Sequence, residues 1–335
     1  MRAALVGYGP AGAGFHAPLI AATNGMEVAA VVTSDPARRE AVARDHPGAA
    51  VLDGADVIWE ERDRFDLAVV AAPNRAHAEL AQRSLEVGLP VVVEKPLAVT
   101  AAEADHLAVL SRDTGVPLAV FQNRRWDSDF LAVRELAGDI GPLARYEARW
   151  QRWRTWVEPE RWRESAAIAD GGGLLWDLGS HLIDQALVLF GRPQWVFARA
   201  AVRRPGAHVD DDSFVELGFA EGPAVQLWMS LLAIEPGPRY RLTGLGGLIE
   251  THGEDPQELR LRGEQAPEVA VRLVNEDGER EIDPPAGAYG RFYAGVRDAL
   301  RDGTPMPVTA EEGAEVVRVI EAARRSATSG EVAAL

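Results

Sequence analysis

The sequence predicts an α/β fold: an N-terminal Rossmann-type, doubly wound parallel sheet, then a C-terminal α+β domain on a large, mostly antiparallel open sheet. Three observations predict it. Short apolar runs alternate with helical patterns over the first 120 residues. Gly7-Tyr8-Gly9-Pro10-Ala11-Gly12 directly follows the first run and opens a helical pattern with Phe15, Leu19 and Ile20. From about residue 140, half-alternating runs separated by Gly/Pro turns replace that rhythm.

The first-domain strands are Ala3–Val6, Val28–Val32, Leu67–Ala72, Val91–Val93 and Leu118–Phe121, with helical patterns at 36–46, 74–87 and 100–113 between them. Continuous apolar strands alternating with amphipathic helices mark a parallel sheet covered on both faces. Pro90 and Pro117 stand just before their strands, where a missing amide is tolerated. In the second domain, strands are expected at 143–152, 195–202, 213–219, 224–232 and 239–245. Glu221-Gly222-Pro223 and Pro236-Gly237-Pro238 supply turns there. Helical patterns return at 174–190, 289–302 and 309–327, the last two parted by Gly303-Thr304-Pro305. The run 253–287, rich in Glu, Pro and Gly, reads as irregular structure or weak hairpins. The domains are therefore 1–122 and 123–335, with 309–327 a helix that can pack back on the first domain.

The 335 residues are enough for two domains of ~150 residues each. A formal net charge of -16 argues against nucleic acid, whose binding depends on Lys and Arg neutralising phosphates. With no cysteine, a disulfide scaffold, a thiolate metal site and a cysteine nucleophile are excluded. Glycine arrives after five residues beyond Met1, too soon for a signal-peptide apolar core, and no apolar run approaches the ~20 residues that span a bilayer. A soluble, cytoplasmic protein without membrane partners is expected. Of 35 Lys+Arg, one is lysine, Lys95. It is either the survivor of an arginine-biased coding background or a position where arginine cannot serve.

Strand, G-x-G-x-x-G and helix in that order let the backbone approach a pyrophosphate at a helix N-terminus, so Gly7, Gly9, Pro10, Ala11 and Gly12 are dinucleotide-binding candidates. An NAD-type site places an acid at the end of the next strand. Here Thr33 and Ser34 stand there, then Asp35, with Arg38 and Arg39 following. Hydroxyls with a nearby guanidinium suit a 2′-phosphate, which favours NADP, with NAD the alternative. Glu94-Lys95-Pro96 sits at the carboxyl end of a strand, where open α/β sheets bind ligands. Lysine can be tuned to exchange a proton near neutral pH and arginine cannot, so Lys95 reads as a catalytic acid/base. After Gly171-Gly172-Gly173, Asp177, His181 and Asp184 share one helix face. A carboxylate one turn from an imidazole can orient it and raise its pKa. A purely structural histidine and a metal site are the alternatives, and no further ligand cluster supports the metal.

Together these motifs resemble the glucose–fructose oxidoreductase/inositol dehydrogenase (Gfo/Idh/MocA) family. The resemblance covers nearly the whole chain and rests on 7–12, Ala72-Pro73-Asn74 with His77, Glu94-Lys95-Pro96 and Asp177-Leu178-Gly179-Ser180-His181. Gly12–Leu19 (GAGFHAPL) and Phe121–Phe130 (FQNRRWDSDF) are most similar to its bacterial NADP-type scyllo-inositol dehydrogenases. The resemblance implies hydride transfer between a nicotinamide and a secondary hydroxyl of a sugar or polyol. It implies Lys95, Asp177 and His181 as the catalytic set. Pro73, Asn74, His77 and Glu94 would lie about the nicotinamide ribose, with Lys95, Pro96 and Asn123 also beside the cofactor. It further implies a homodimer or homotetramer formed through the C-terminal sheet. The missing acid at Thr33 departs from NAD-type members. Substrate contacts are expected from Asn123, Arg124, Asp177, His181 and the stretch 145–163, including Arg152 and Trp162; that stretch holds four of the nine tryptophans. A subunit interface would be equally rich in Trp and Arg. A cofactor-assisted glycosidase and a non-catalytic NADP sensor are the rival functions.

Overall fold

The computed structural model describes residues 1–158, 162–261, 263–264 and 268–335, and the side chains of all of these but Trp162 and Arg163. The chain forms two compact units. The first comprises Met1–Asn123, Glu258–Glu264 and Tyr289–Ala314; the second comprises Arg124–Gln257, Gln265–Ala288 and Glu315–Leu335. The helices are α1 (Ala17–Ala22), α2 (Pro36–Asp45), α3 (Asp56–Glu60), α4 (His77–Glu86), α5 (Ala101–Thr114) and α6 (Ser128–Leu136). They continue with α7 (Trp162–Ser165), α8 (Ser180–Phe190), α9 (Gln257–Leu261), α10 (Gly290–Asp302) and α11 (Ala310–Ser329). Among the described residues, no helix is long and apolar enough to cross a membrane.

In the first unit, β1 (Arg2–Val6), β2 (Glu27–Val32), β3 (Ala50–Leu52), β4 (Leu67–Val70), β5 (Val91–Glu94) and β6 (Leu118–Phe121) form a parallel sheet. Its order is β3-β2-β1-β4-β5-β6, so winding reverses at β1. Val6 pairs with both Val32 and Val70, which opens the loop after β1 at that switch point. The apolar runs of the sequence reading became these strands. β3 escaped it, because Ala50–Leu52 is three half-buried residues with no run to detect. Thr100 and Glu103 cap α5, the Thr hydroxyl accepting the Glu103 amide at 3.2 Å, and Gly115 ends the helix in the left-handed conformation at φ 69°.

Residues 289–314, which the sequence reading placed in the second domain, stand with this unit. The Val120 amide donates to the Val308 carbonyl, and Thr309 bridges Ala119, so the segment adds to β6. Phe292 and Tyr293 of α10 bury their rings against Phe121, at 4.9 and 6.1 Å between centroids.

The second unit is built on β7 (Leu143–Gln151), β8 (Trp195–Ala201), β9 (Asp212–Gly218), β10 (Ala224–Ser230), β11 (Tyr240–Gly244), β12 (Gly247–His252), β13 (Ala270–Asn275), β14 (Gly278–Ile282) and β15 (Ala333–Ala334). Their order is β14-β13-β12-β11-β7-β10-β9-β8-β15, antiparallel throughout except for the parallel β7–β10 pair. Alternation buries one face, with Tyr146, Ala148 and Trp150 of β7 beside Val225, Leu227 and Met229 of β10. Within 253–287 the structure holds α9 and the β13–β14 hairpin. β14 is a charged, exposed edge strand, which removed the apolar signal.

Two outcomes follow for stability. Gly313 packs on β6 so closely that a Cβ would lie 2.4 Å from Val120 Cγ2. Gly313→Ala is expected to cost about 1–3 kcal/mol by overpacking, read from denaturant midpoints. His77 links the loops after β4 and β5, its Nδ1 lying 2.7 Å from the Pro96 carbonyl and its Nε2 2.9 Å from the Ala72 carbonyl. Burial pushes its pKa below the ordinary histidine value, and the two carbonyls and Glu94 offset only part of that. The unfolded chain therefore binds the proton first. The stability His77 contributes is full above about pH 6.5 and is lost as pH falls below it. Unfolding free energies measured between about pH 7 and pH 5 should fall less steeply in His77→Gln than in the wild type.

Candidate active site

The glycine loop after β1 is shaped by two steric demands. Gly7 has φ +103°, and a Cβ there would lie 2.5 Å from the Ala71 carbonyl oxygen. A Cβ at Gly12 would lie 2.1 Å from the Gly7 carbonyl oxygen. At Gly9 a Cβ would meet nothing nearer than Arg38 Nη1 at 3.8 Å, so space stays open over the loop. The helix that follows is π-wound over Gly12–His16 before α1 begins. This open cradle at a helix start fits a dinucleotide pyrophosphate, with Pro10 exposed and Ala11 half-buried at its rim. Tyr8, between the first two glycines of the loop, is buried edge-on to His46 just past the end of α2.

At the end of β2, Thr33 is buried and Ser34 exposed. Asp35 caps α2, its Oδ1 accepting the Arg38 amide at 3.1 Å. Arg39 turns to the Thr33 carbonyl at 3.1 Å and to Asp53 at 2.7 Å. Arg38 is half exposed and lies over the glycine loop beside Gly9.

The ends of β4 and β5 carry the remaining first-unit candidates. Pro73 is exposed and Asn74 buried, while the ring of His77 lies between two main-chain carbonyls. Glu94 and Lys95 are each 8% exposed, Pro96 is buried, and the Lys95–Pro96 peptide is cis. Glu94 Oε2 accepts the Lys95 amide at 2.9 Å, and Oε1 lies 3.2 Å from His16 Nε2. His16 Nδ1 lies 2.6 Å from the Tyr293 hydroxyl. With a carboxylate at one nitrogen and a hydroxyl at the other, Nε2 is placed to donate and Nδ1 to accept. Burial, then the nearby Glu94 charge, raises the Tyr293 pKa, which keeps that hydroxyl a donor. The sequence reading missed His16; its signal is a histidine on the buried side of an otherwise apolar helix start.

In the second unit, Gly171 and Gly173 take φ +82° and +99°, and a π-wound turn, Leu175–Gly179, carries Asp177 into α8. His181 is buried near the start of α8, and Asp177 is half-buried. Asp184, expected to share their face, is taken by Arg125, whose Nε and Nη2 reach it at 2.8 and 2.7 Å. Among the described residues, no His/Asp/Glu group has the arrangement to hold a metal ion. Gln185 fixes the same helix, donating to the Arg124 carbonyl at 2.9 Å and accepting from the Tyr240 hydroxyl at 2.7 Å.

Beside His181, with ring centroids 5.6 Å apart, lies the buried indole of Trp150. Guanidiniums of Arg239, Arg124 and Arg152 stand 4.1, 5.2 and 5.8 Å from that indole. Each faces a carboxylate. Arg152 binds Glu254 at 2.7 Å, Arg124 lies 3.6 Å from Asp127, and Arg239 lies 3.6 Å from Asp129. Burial pushes Asp129 up to about 6 against the pull of Arg239. Burial also raises Glu254, but Arg152 outweighs it and leaves that carboxyl below its ordinary range. The rest of 145–163 divides between surroundings. Arg149 stacks over Trp228 at 4.4 Å, Trp153 and Trp156 are more than half exposed, and Arg154 pairs with Glu164. Arg161 and the side chain of Trp162 lie outside the described residues. Asn123 is buried at the end of the first unit.

Comparison with known proteins completes the picture. Residues 1–122 match the oxidoreductase family NAD-binding Rossmann fold (GFO_IDH_MocA), and residues 134–335 match that family's C-terminal alpha/beta domain. The chain is 37% identical to the uncharacterized oxidoreductase YdgJ of Escherichia coli K12, over 98% of this chain and 96% of that protein. It is 34% identical to the scyllo-inositol 2-dehydrogenase (NADP(+)) IolW of Bacillus subtilis 168, over 97% of this chain and 93% of that protein. A crystal structure from Klebsiella pneumoniae superimposes with TM-score 0.89 at 36% identity, covering 100% of this chain and 95% of that one. With its glycine cradle, doubly wound sheet and second α/β unit, the chain belongs to the Gfo/Idh/MocA oxidoreductase family as an NAD(P)-binding dehydrogenase or reductase.

Proposed function

We propose that this enzyme transfers hydride reversibly between NADP and a secondary hydroxyl or ketone of an uncharged cyclic polyol or sugar. The observation that carries the cofactor choice is the end of β2. Thr33 stands where a ribose-binding acid would, Asp35 is committed to capping α2, and Arg38 lies beside the open glycine loop. A guanidinium there offers charge-assisted hydrogen bonds to a 2′-phosphate. Gly7, Gly9, Pro10, Ala11 and Gly12 would hold the pyrophosphate. Pro73, Asn74, Glu94, Pro96 and Asn123 would border the nicotinamide end, with His77 bracing two of those loops. When bound, the cofactor supplies or accepts the hydride. Lys95 and His181 are the candidates to exchange the hydroxyl proton, and Asp177 to tune or orient these groups.

The substrate class follows from the wall beside His181. Three guanidiniums meet three carboxylates around Trp150, so the wall is close to neutral while rich in donors and acceptors. An indole face with paired polar groups suits a polyhydroxylated ring. The similarity to IolW, an NADP-dependent inositol dehydrogenase, supports the same class. For assembly, a homodimer or homotetramer is proposed through the open sheet of the second unit. One face of that sheet presents Phe214 and Trp228, their rings tilted 52° to each other at 5.3 Å, with Arg149 over the indole.

The deciding experiment is fluorescence titration with NADPH and NADH, then an absorbance screen of inositols, aldoses and uronates. Tighter NADH binding overturns the cofactor assignment, and turnover of uronates alone overturns the substrate class. Arg38→Ala should weaken NADPH binding about 10- to 100-fold, the value of a hydrogen bond to a charged group, and leave NADH unchanged. Lys95→Arg should still bind NADPH but lose about 100-fold or more in turnover; retained activity would end its proton role.

A further inference from the structure

Two consecutive carboxylates just ahead of β9, Asp210 and Asp211, are 3% and 1% exposed. They serve different parts of the second unit. Asp210 Oδ2 accepts the Leu175 amide at 2.8 Å and the Ser213 hydroxyl at 2.8 Å. Its Oδ1 accepts from Arg324 of α11, and its main-chain carbonyl accepts the Leu174 amide at 3.0 Å. The amides that open the Asp177 turn therefore end on one residue. Negative charge is also favoured at that end of a helix. A Cβ at Gly173 would lie 2.1 Å from Asp210 Oδ1, which explains a glycine there.

Asp211 looks elsewhere. Its Oδ1 accepts the Arg203 amide at 2.8 Å, and its Oδ2 accepts the Arg204 amide and Nε at 2.9 and 3.0 Å. Arg204 is 4% exposed and spends the rest of its fork on the tryptophan-bearing segment. Nη1 donates to the Trp156 carbonyl at 2.6 Å, and Nη2 reaches Glu164 at 3.0 Å. Glu164 in turn accepts from Arg154 and from the Glu158 amide.

We infer that Asp210 and Asp211 are a tandem pair of positioning residues, Asp210 setting the turn and helix of Asp177 and His181, and Asp211 setting the Trp153–Trp156 segment through Arg204. A substrate-side role for that segment is the expectation drawn for 145–163 from the sequence, and it rests on the dehydrogenase reading above. One short acidic stretch thereby holds the proton-handling helix and the aromatic segment in a common frame. Removing either charge should disturb its own partner and spare the other.

The test compares Asp210→Asn and Asp211→Asn in the full chain, with NADPH affinity as the check that each variant folds. Asp210→Asn should lower kcat about 10- to 100-fold, as small misplacements of reacting groups do, with substrate KM within about twofold. It should also shift the His181 ring-proton titration seen by NMR. Asp211→Asn should raise KM about tenfold with kcat within about twofold. It should increase acrylamide quenching of the fluorescence that Trp153→Phe and Trp156→Phe remove, and leave the His181 titration in place. If an asparagine variant fails to fold, Arg324→Lys on the Asp210 side and Arg204→Lys on the Asp211 side carry the same expectations. Parallel effects of both substitutions on kcat, KM and the two spectroscopic signals would overturn the pair, as would no effect of either. A wild type that turns over no polyol overturns the dehydrogenase reading instead, while the titration and quenching still decide the pair.

Discussion

The second unit depends on pairing charge in its interior. Asp184 with Arg125, Asp211 with Arg204, Asp129 with Arg239 and Asp210 with Arg324 are almost wholly removed from water at their carboxylates. Taking one partner from such a pair leaves a buried charge and costs about 3–5 kcal/mol. These pairs are therefore poor sources of net stability and strict sources of geometry. They join α8 to the segment ahead of α6, α11 to the residues ahead of β9, and the residue ahead of β11 to α6. Apolar packing against the sheet would tolerate several rotations of α8. The forked hydrogen bonds of Arg125 and the two-sided bonding of Gln185 admit far fewer.

The same economy shapes the face of Trp150. An indole bordered by three cations would ordinarily advertise an anion site. Three carboxylates at matching positions cancel that field and leave directed donors and acceptors. For the proposed polyol substrate, such a wall would discriminate by where hydroxyls fall relative to fixed groups rather than by attraction to net charge.

How far the molecule is legible in its sequence follows from the range of the forces involved. The first-unit strands are continuous apolar runs, and the glycine loop is set by contacts between neighbours in the sequence or across one strand pair. Both signals are local, and both were read. β3 was lost because three half-buried residues carry no apolar pattern, while the β13–β14 hairpin falls within the weak hairpins read over 253–287. Residues 289–314 were assigned by position in the chain, whereas their pairing with β6 is a tertiary event. The site shows the same divide. Lys95, Asp177 and His181 lie in recognisable motifs. His16 reaches Glu94 across 78 residues and Tyr293 across 277, and no spacing rule spans such distances. Asp184 shows the converse: helical periodicity grouped it with Asp177 and His181, but Arg125 takes its carboxylate.

The division of labour between the two basic residue types is the last step. Arginine keeps its charge at any physiological pH and offers a planar fork, so it can be buried as a structural strut. The arginines of the second-unit interior are used that way, one guanidinium often binding two elements. Lysine lacks the fork but can give up its proton in a suitably apolar setting. The chain's single lysine is 8% exposed at the carboxyl end of β5, and its own amide is held by Glu94, which His16 and Tyr293 brace in turn. A network of that depth behind one backbone position would be superfluous for a surface charge. Such a network fits the proton exchange proposed for Lys95, a task for which arginine, charged at any physiological pH, is unsuited.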